Sequence, residues 1–480
     1  VRPSTIASAA PPARPHRRAT ALLLAGVLAG CAHYQAAPLD PSRSAAEYAA
    51  RRLTEPRVRE ELKGLLPQSA AAWPPREWDR GELLAVALTQ NPRLAVARAQ
   101  VTAARSHEVT AAQAPNPDLT LQSEYARHDT HPWLYGVYVN WLLRSSERRR
   151  LEIELATLDT QNARLQLMDQ AWSVRSALAA ALSDWEAARR RRDLLVRLGA
   201  AEERLLGVER QRVTAGEDPP IELLTREQAR IETERQEAES RTAAAEAQAA
   251  ACRALGLPPQ ALDGVAVTWP EWGEPPPLDE ETRRAAREQA LLSRADLGAA
   301  IGEYQAAEIK LQQSVARQYP QLELSPGYYW DHGIAKFPFD VGFTLPLNRN
   351  RGEIAESQAG RELAGRRMLA LQADIYGQIV AAERAEDIAR ESAAAAERQL
   401  QAARRQERAA DLGVRLGAAD QEGQIAAEIL GMRAELELMQ MQAQLQNSRN
   451  NLEDVLHAPL SGPELALAKS LPSMALEAGS

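Results

Sequence analysis

Cysteine is nearly absent: Cys31 and Cys252 are the two in 480 residues. They lie far apart in unlike settings, which argues against a disulfide framework. Aromatic residues are sparse and Phe numbers three. Ala, Leu, Gln, Glu and Arg dominate instead, the composition of long helices or coiled coil. Positive charge is not in excess, with 57 Lys and Arg against 65 Asp and Glu and a net charge of −8. No basic footprint for nucleic acid is present. No stretch approaches 18 consecutive apolar residues, so no transmembrane helix is expected. There is no phosphate loop and no nucleophile elbow. The seven His (His16, His33, His107, His128, His131, His332 and His457) offer no ligand set beyond His128, Asp129 and His131 on one loop and Asp331-His332 on another. These read as polar loop residues, and Cys252 reads as a helix-packing residue. The expectation is a chain with no catalytic site, no metal and no cofactor.

Proline is absent where it matters. The chain has 29 Pro, yet none between Pro132 and Pro219, Pro220 and Pro258, Pro277 and Pro320, or Pro346 and Pro459. Because Pro breaks helix interiors, these windows predict helices, apart from β-strands at their ends. Asp79 is placed as an N-cap before GELLAVALTQ. From Glu147 to Ala215 a single helix of roughly 69 residues would run on the order of 100 Å. Leu151, Leu158, Leu165 and Trp172 recur at heptad spacing along it, so it packs laterally in a bundle or coiled coil. Gly216 marks a turn, and Ile221 to Leu255 returns as helix.

What is present at the N-terminus predicts export. Arg14, His16, Arg17 and Arg18 precede the short apolar run from Ala21 to Gly30, followed by Cys31. This pattern predicts a secretory signal at 1–30. Leu28-Ala29-Gly30-Cys31 resembles the bacterial lipoprotein box, which implies lipidation of Cys31. Ala32 follows, which resembles lipoproteins sorted to the outer membrane.

Two stretches have period two. Phe337, Phe339, Val341, Phe343 and Leu345 alternate with Lys336, Pro338, Asp340, Gly342 and Thr344, and Leu322, Leu324, Tyr328 and Trp330 precede them. Leu119, Leu121 and Tyr125, then Tyr135, Val137, Val139 and Trp141, form an earlier pair. Such alternation gives a strand one apolar face. The plan occurs twice: Pro117, Leu119, Leu121 and Tyr125 match Pro320, Leu322, Leu324 and Tyr328, and Gly216 matches Gly417. A tandem duplication at an offset of about 200 residues follows. The expected segments are a leader at 31–78, a first repeat at 79–256, a Pro-rich equatorial connector at 257–280, a second repeat at 281–458 and a tail at 459–480.

Four strands per chain are too few for an outer-membrane barrel, which has at least eight. Several copies must therefore close it. Three copies give twelve strands and a lumen, whereas two give eight that side chains largely fill. The fold class expected is mainly α with a β-barrel part. The unit is helix, hairpin, long helix and return helix.

ALTQNPRL, PNPDLTL, LSRADL, QYPQLELSPGY and LPLNRNRGE carry a resemblance to the outer-membrane efflux protein family of TolC-type ducts. It covers about Glu82 to Leu456. Leu345-Pro346-Leu347 with Asn350-Arg351-Gly352-Glu353 is similar to the branch paired with heavy-metal, CzcC-type exporters. The resemblance implies a homotrimer, a twelve-stranded outer-membrane barrel and a long periplasmic α-barrel. It implies passive export, with a periplasmic adaptor and an RND-type inner-membrane transporter as partners and outer-membrane lipids around the strands. The strand Phe337, Phe339, Val341, Phe343 and Leu345 is then lipid-facing. Val213, Gly216, Arg415, Leu416 and Gly417 are, by the same resemblance, adaptor-docking turns.

Acidic residues gather at the tips: Glu217, Asp218 and Glu222 in the first repeat, Asp411, Asp420 and Glu422 in the second. Asp420, Glu422, Asp218 and Glu222 are candidates for a periplasmic gate, since rings of acids favour cations. The same acids also suit helix N-termini. Gly423 and Ala426 occupy what look like the family's usual acidic positions. A periplasmic adaptor and a coiled-coil structural lipoprotein remain alternatives. The first should carry one hairpin between β-domains, and the second needs no alternating Phe strand.

Overall fold

The computed structural model describes residues 34–66 and 73–468. The signal expected at 1–30, Cys31 and residues 469–480 of the tail lie outside the described residues. The described residues divide into two units, one ending at Ala49 and one beginning at Ala50. In the first, an extended segment leads into helix α1, Pro41–Ala50, all of it exposed. The Asp40 carboxylate accepts hydrogen bonds from the Ser42 and Arg43 amides at 2.9 and 3.3 Å.

The second unit begins with α2, Pro56–Leu65, and α3, Arg80–Gln90. Asp79 caps α3 as its sequence position predicts. Its carboxylate accepts from the Glu82 amide at 2.8 Å, and the Glu82 side chain accepts from the Asp79 amide at 3.0 Å. Two otherwise orphaned amides are thereby satisfied reciprocally. Nearly all of α3 is buried, with Leu83, Leu84, Val86 and Leu88 in the core. Asn91 ends it and starts α4, Pro92–Ala112, accepting from the Arg93 amide at 2.8 Å. Pro92 sits at the first helical position, where its missing N–H costs nothing.

Strands β1, Asp118–Tyr125, and β2, Trp133–Leu143, follow. Helix α5, Ser146–Ala215, has 70 residues, and α6, Pro220–Leu255, has 36. After a 3₁₀ turn at Pro259–Leu262, α7 (Glu280–Ser293) and α8 (Ala295–Ala316) open the second half. It continues with β3, Leu322–Asp331, β4, Ile334–Lys336, and β5, Phe339–Phe343. Helix α9, Arg351–Arg415, has 65 residues, and α10, Gln421–Leu456, has 36. A short α11, Glu464–Ala468, follows. The duplication read from the sequence is visible element by element: each half has a long helix, a turn and a 36-residue return.

Each turn uses the same device. Gly216 and Gly417 have φ of 78° and 70°, a left-handed backbone that only Gly adopts without a Cβ penalty. At the first, the Gly216 amide donates to Val213 O and the Glu217 amide to Arg212 O, at 3.0 and 2.9 Å. At the second, Gly417 donates to Val414 O and Ala418 to Gly413 O, at 3.0 and 2.8 Å. These paired bonds close the last helical carbonyls in a Schellman motif.

The four long helices pack laterally, α5 on α6 and α10, and α9 on α10. Leu195, Leu198, Ala201 and Leu205 of α5 bury against Ile425 and Ile429 of α10. The largest core lies further from the turns. There α2, α3 and α4 meet α5, the end of α6, and Trp269 and Trp272 of the Pro-rich connector. The connector is pinned by a parallel bridge between Trp78 and Val267.

His457 ends α10 with φ 50° and stacks on Trp172 at 5.4 Å between ring centroids. Burial pushes its pKa down to about 4 from 6.5, and the Arg294 charge adds to this. The unfolded chain therefore binds this proton more readily than the folded one. Stability from this residue is complete above pH 6.5 and is lost as pH falls toward 4. Asn tolerates the left-handed backbone, so His457→Asn should flatten this part of the profile. Thermal melts of both proteins at pH 7.5, 5.5 and 4.5 check it, the expected result being a gap in melting temperature that changes steadily across the three.

Candidate functional site: the strand face and the acidic helix tip

The sheet is antiparallel, in the order β1-β2-β3, with β4 and β5 both pairing to β3. Register places the alternating apolar positions of β1, β2, β3 and β5 on one face, with Leu134, Tyr138, Leu142 and Tyr329 on the other. Leu119 pairs with Val139, Leu121 with Val137 and Tyr125 with Trp133. Val137 meets Tyr328, Trp141 meets Leu324 and Leu143 meets Leu322. Leu322 meets Phe343, Leu324 meets Val341 and Pro326 meets Phe339. Directly paired residues share a face, so the apolar surface is continuous across four strand lanes. It is exposed in the single chain: Leu121 at 75%, Phe339 at 64% and Trp141 at 53%. The opposite face carries pairs such as Asp118 with Asn140, Glu323 with Gly342 and Ser325 with Asp340. Lys336 lies on that face too, paired with Tyr329.

One expectation needs correction. The alternation predicts a single strand from Phe337 to Leu345, but the ladder breaks at Phe337-Pro338 and ends at Phe343. Pro338 has no N–H to give a ladder; its carbonyl instead accepts from the Gly327 amide at 2.9 Å. Phe337 and Leu345 flank the strand segments and are 79% and 65% exposed. Phe339, Val341 and Phe343 are on the strand, on the shared face.

At the far end of the long helices, the two turns bring together four carboxylates and two guanidinia. Arg212, in the last turn of α5, ion-pairs with Asp218, donating from Nη2 to Oδ1 at 3.2 Å. The same guanidinium reaches across to the second repeat, 3.6 Å from Asp420 and 3.4 Å from Glu422. Arg226 of α6 lies 3.9 Å from Glu422. Asp420 is the N-cap of α10, accepting from the Gly423 amide at 2.9 Å. The helix-terminus reading of this residue therefore holds geometrically. Glu222 stands in the first turn of α6 and is exposed. Of the turn residues, Val213 is half-buried, and Gly216, Arg415, Leu416 and Gly417 are exposed. Arg415 pairs with Asp411 at 2.7 Å.

The fourth carboxylate is Glu209 of α5, absent from the sequence-based candidates. It is fully buried, and neither of its oxygens has a hydrogen-bond partner. Burial pushes its pKa up, and the charges of Glu422, Asp218 and Glu222 push it further, against Arg226. No sequence signal marks it. It sits between Val208 and Arg210 in a charge-rich helix, and the groups around it, Asp218, Glu222, Arg226 and Glu422, come from other elements.

No protein-family model and no characterised protein sequence matches the chain. Solved structures do. The outer-membrane channel OprN is similar at 17% identity and TM-score 0.65, covering 89% of this chain and 98% of its own. The Campylobacter jejuni CmeC outer membrane channel gives 12% identity and TM-score 0.66, covering 84% and 90%. The Neisseria gonorrhoeae MtrE outer membrane channel, solved in an open state, gives 16% identity and TM-score 0.64, covering 80% and 89%. The duplicated long-helix hairpins and the short antiparallel sheet together are thus the fold of outer-membrane channel proteins.

Proposed function

We propose that the chain belongs to the outer-membrane efflux protein family and is the outer-membrane exit duct of a tripartite efflux system. The observation that carries this reading is the sheet. Its apolar face is continuous and exposed, its β1 and β5 edges are open among the described residues, and it feeds directly into helices of about 100 Å. An open edge and an exposed apolar face both call for a partner. Three copies closing twelve strands satisfy both, with lipid outside and the polar face lining a lumen. Phe337, Phe339, Val341, Phe343 and Leu345 meet lipid in this arrangement. The fold likeness to the outer membrane channels CmeC and MtrE supports the outer-membrane reading.

The long helices then form a periplasmic tunnel. Val213 to Gly216 and Arg415 to Gly417 are its docking turns for a periplasmic adaptor, which links it to an RND-type inner-membrane pump. Cys31 carries the lipid anchor. The segments 1–30, 31–78, 79–256, 257–280, 281–458 and 459–480 serve as signal, leader, first repeat, equatorial connector, second repeat and tail. The duct conducts passively.

The tip acts as the gate. Arg212 joins Asp218 of one hairpin to Asp420 and Glu422 of the other, which holds the two turns together; Glu222 adds to the negative rim. Asp420→Asn with Glu422→Gln keeps side-chain oxygens in place, and a cap with them, while removing two charges per protomer. Detergent extracts of outer membranes should yield a heat-sensitive trimer for wild type and variant alike. In planar bilayers the variant should show higher single-channel conductance and weaker cation selectivity. Recovery only as a soluble monomer overturns the duct; unchanged conductance removes these residues from the gate.

A further inference from the structure

Glu209 has no role in that reading. We propose that Glu209, Asp218 and Glu422 form a divalent-cation site of the calcium class, which ties the first hairpin's turn to the start of the second return helix. One carboxylate oxygen from each lies within 4.8 Å of the others. Calcium takes oxygen ligands at about 2.3–2.6 Å, so the widest separation between two ligands is about 4.6–5.2 Å. Three oxygens within 4.8 Å of one another lie on that sphere or a few tenths of an ångström outside it. Magnesium, at about 2.0–2.1 Å, requires them to draw together.

The second observation is the state of Glu209 itself. Its side chain is fully buried, and both oxygens lack a partner although the Arg226 charge acts on them. A buried carboxylate left unpaired is costly. Arg212 is engaged by Asp218, Asp420 and Glu422, and Arg226 by Glu422. The four carboxylates Glu209, Asp218, Asp420 and Glu422 share two guanidinia, those of Arg212 and Arg226. A divalent cation among Glu209, Asp218 and Glu422 supplies the missing charge and the missing partner together. The ligands come from α5, the α5–α6 turn and α10, so binding cross-links the two repeats within one chain. This differs from a ring of acids around a pore, which needs neighbouring copies.

Arg212 competes for this site, because it spends the charge of Asp218 and Glu422. Removing it should tighten binding. The test uses the full-length, detergent-purified protein after chelation, titrated with Ca²⁺ by calorimetry and followed by thermal melts. Wild type should bind one Ca²⁺ per chain, with a dissociation constant on the order of 10⁻⁴–10⁻³ M as in low-affinity extracellular sites. Its melting temperature should rise with Ca²⁺. Glu209→Gln should lose both effects while folding at least as well as wild type without Ca²⁺, since it replaces a buried charge with a neutral side chain of the same shape. Glu422→Gln, at a less buried position, should lose binding at least tenfold and provides the same reading if the first variant folds poorly. Arg212→Gln should bind more tightly than wild type. A wild type with no saturable Ca²⁺ uptake overturns the proposal, as does Ca²⁺ binding that survives in both carboxamide variants. A Glu209 that merely takes up a proton gives the first of those results. The readout is binding to the isolated protein, so it stands apart from whether the chain conducts.

Discussion

Val341→Arg is expected to abolish the heat-sensitive trimer. Val341 is central in β5, paired with Leu324, and half-exposed on the apolar face. A charged residue on the lipid side of a barrel strand costs about 2–4 kcal/mol near the bilayer midplane. In the proposed trimer each substitution occurs three times, so the assembled barrel loses roughly 6–12 kcal/mol. The stability of an ordinary folded domain is itself only about 5–15 kcal/mol. The chain should therefore accumulate unassembled. Ser325→Arg is the matched control. Ser325 pairs with Asp340 on the polar face, and a charge there should leave the trimer intact and shift ion selectivity. Semi-native electrophoresis of outer-membrane extracts reads both variants. A normal trimer from Val341→Arg means that this face does not meet lipid, and the assignment of the two faces falls with it.

Much of this architecture was legible because it follows from short-range rules. Period two in Phe339, Val341 and Phe343 admits one face assignment, and the ladder register confirms it. The Pro-free windows delimit helices because a single Pro would have broken them, and α5 runs from Ser146 to Ala215 where Glu147 to Ala215 was expected. Gly216 and Gly417 mark turns because only Gly accepts that backbone cheaply. The end of the last strand was misjudged for a related reason. Alternation continues through Pro338, but hydrogen bonding does not, and side-chain pattern reports faces rather than ladders. Glu209 and Arg175 were illegible. Each is an ordinary polar residue on a charge-rich helix, and what distinguishes it is a neighbour more than 200 residues away, Glu422 in one case and Glu453 in the other.

Arg175→Met is expected to destabilise the folded chain by about 3–5 kcal/mol, the usual cost of removing one partner from a buried ion pair. Arg175 of α5 is 2% exposed. Its guanidinium pairs with Glu453 of α10 and with Glu464 of α11, Nε donating to Glu464 at 2.7 Å. Burial alone would lower its pKa; Glu464 and Glu453 more than reverse that and hold it protonated. Arg80 lies 3.7 Å from the same Glu464 and stacks over Trp269 at 4.2 Å. Glu453 also accepts from the Leu460 amide at 2.9 Å, which folds the segment after α10 back onto it. Met keeps the bulk and removes the charge, leaving two buried carboxylates with Arg80 alone to answer them. Adding Glu453→Met and Glu464→Met should recover most of the stability, since an apolar core of similar volume is often as stable as a buried ion network. Thermal or denaturant unfolding of the single and triple variants at pH 7.5 decides this. A single variant as stable as wild type would mean that α11 and the end of α10 are held by their apolar contacts alone, through Leu452, Leu456 and the fully buried Leu467.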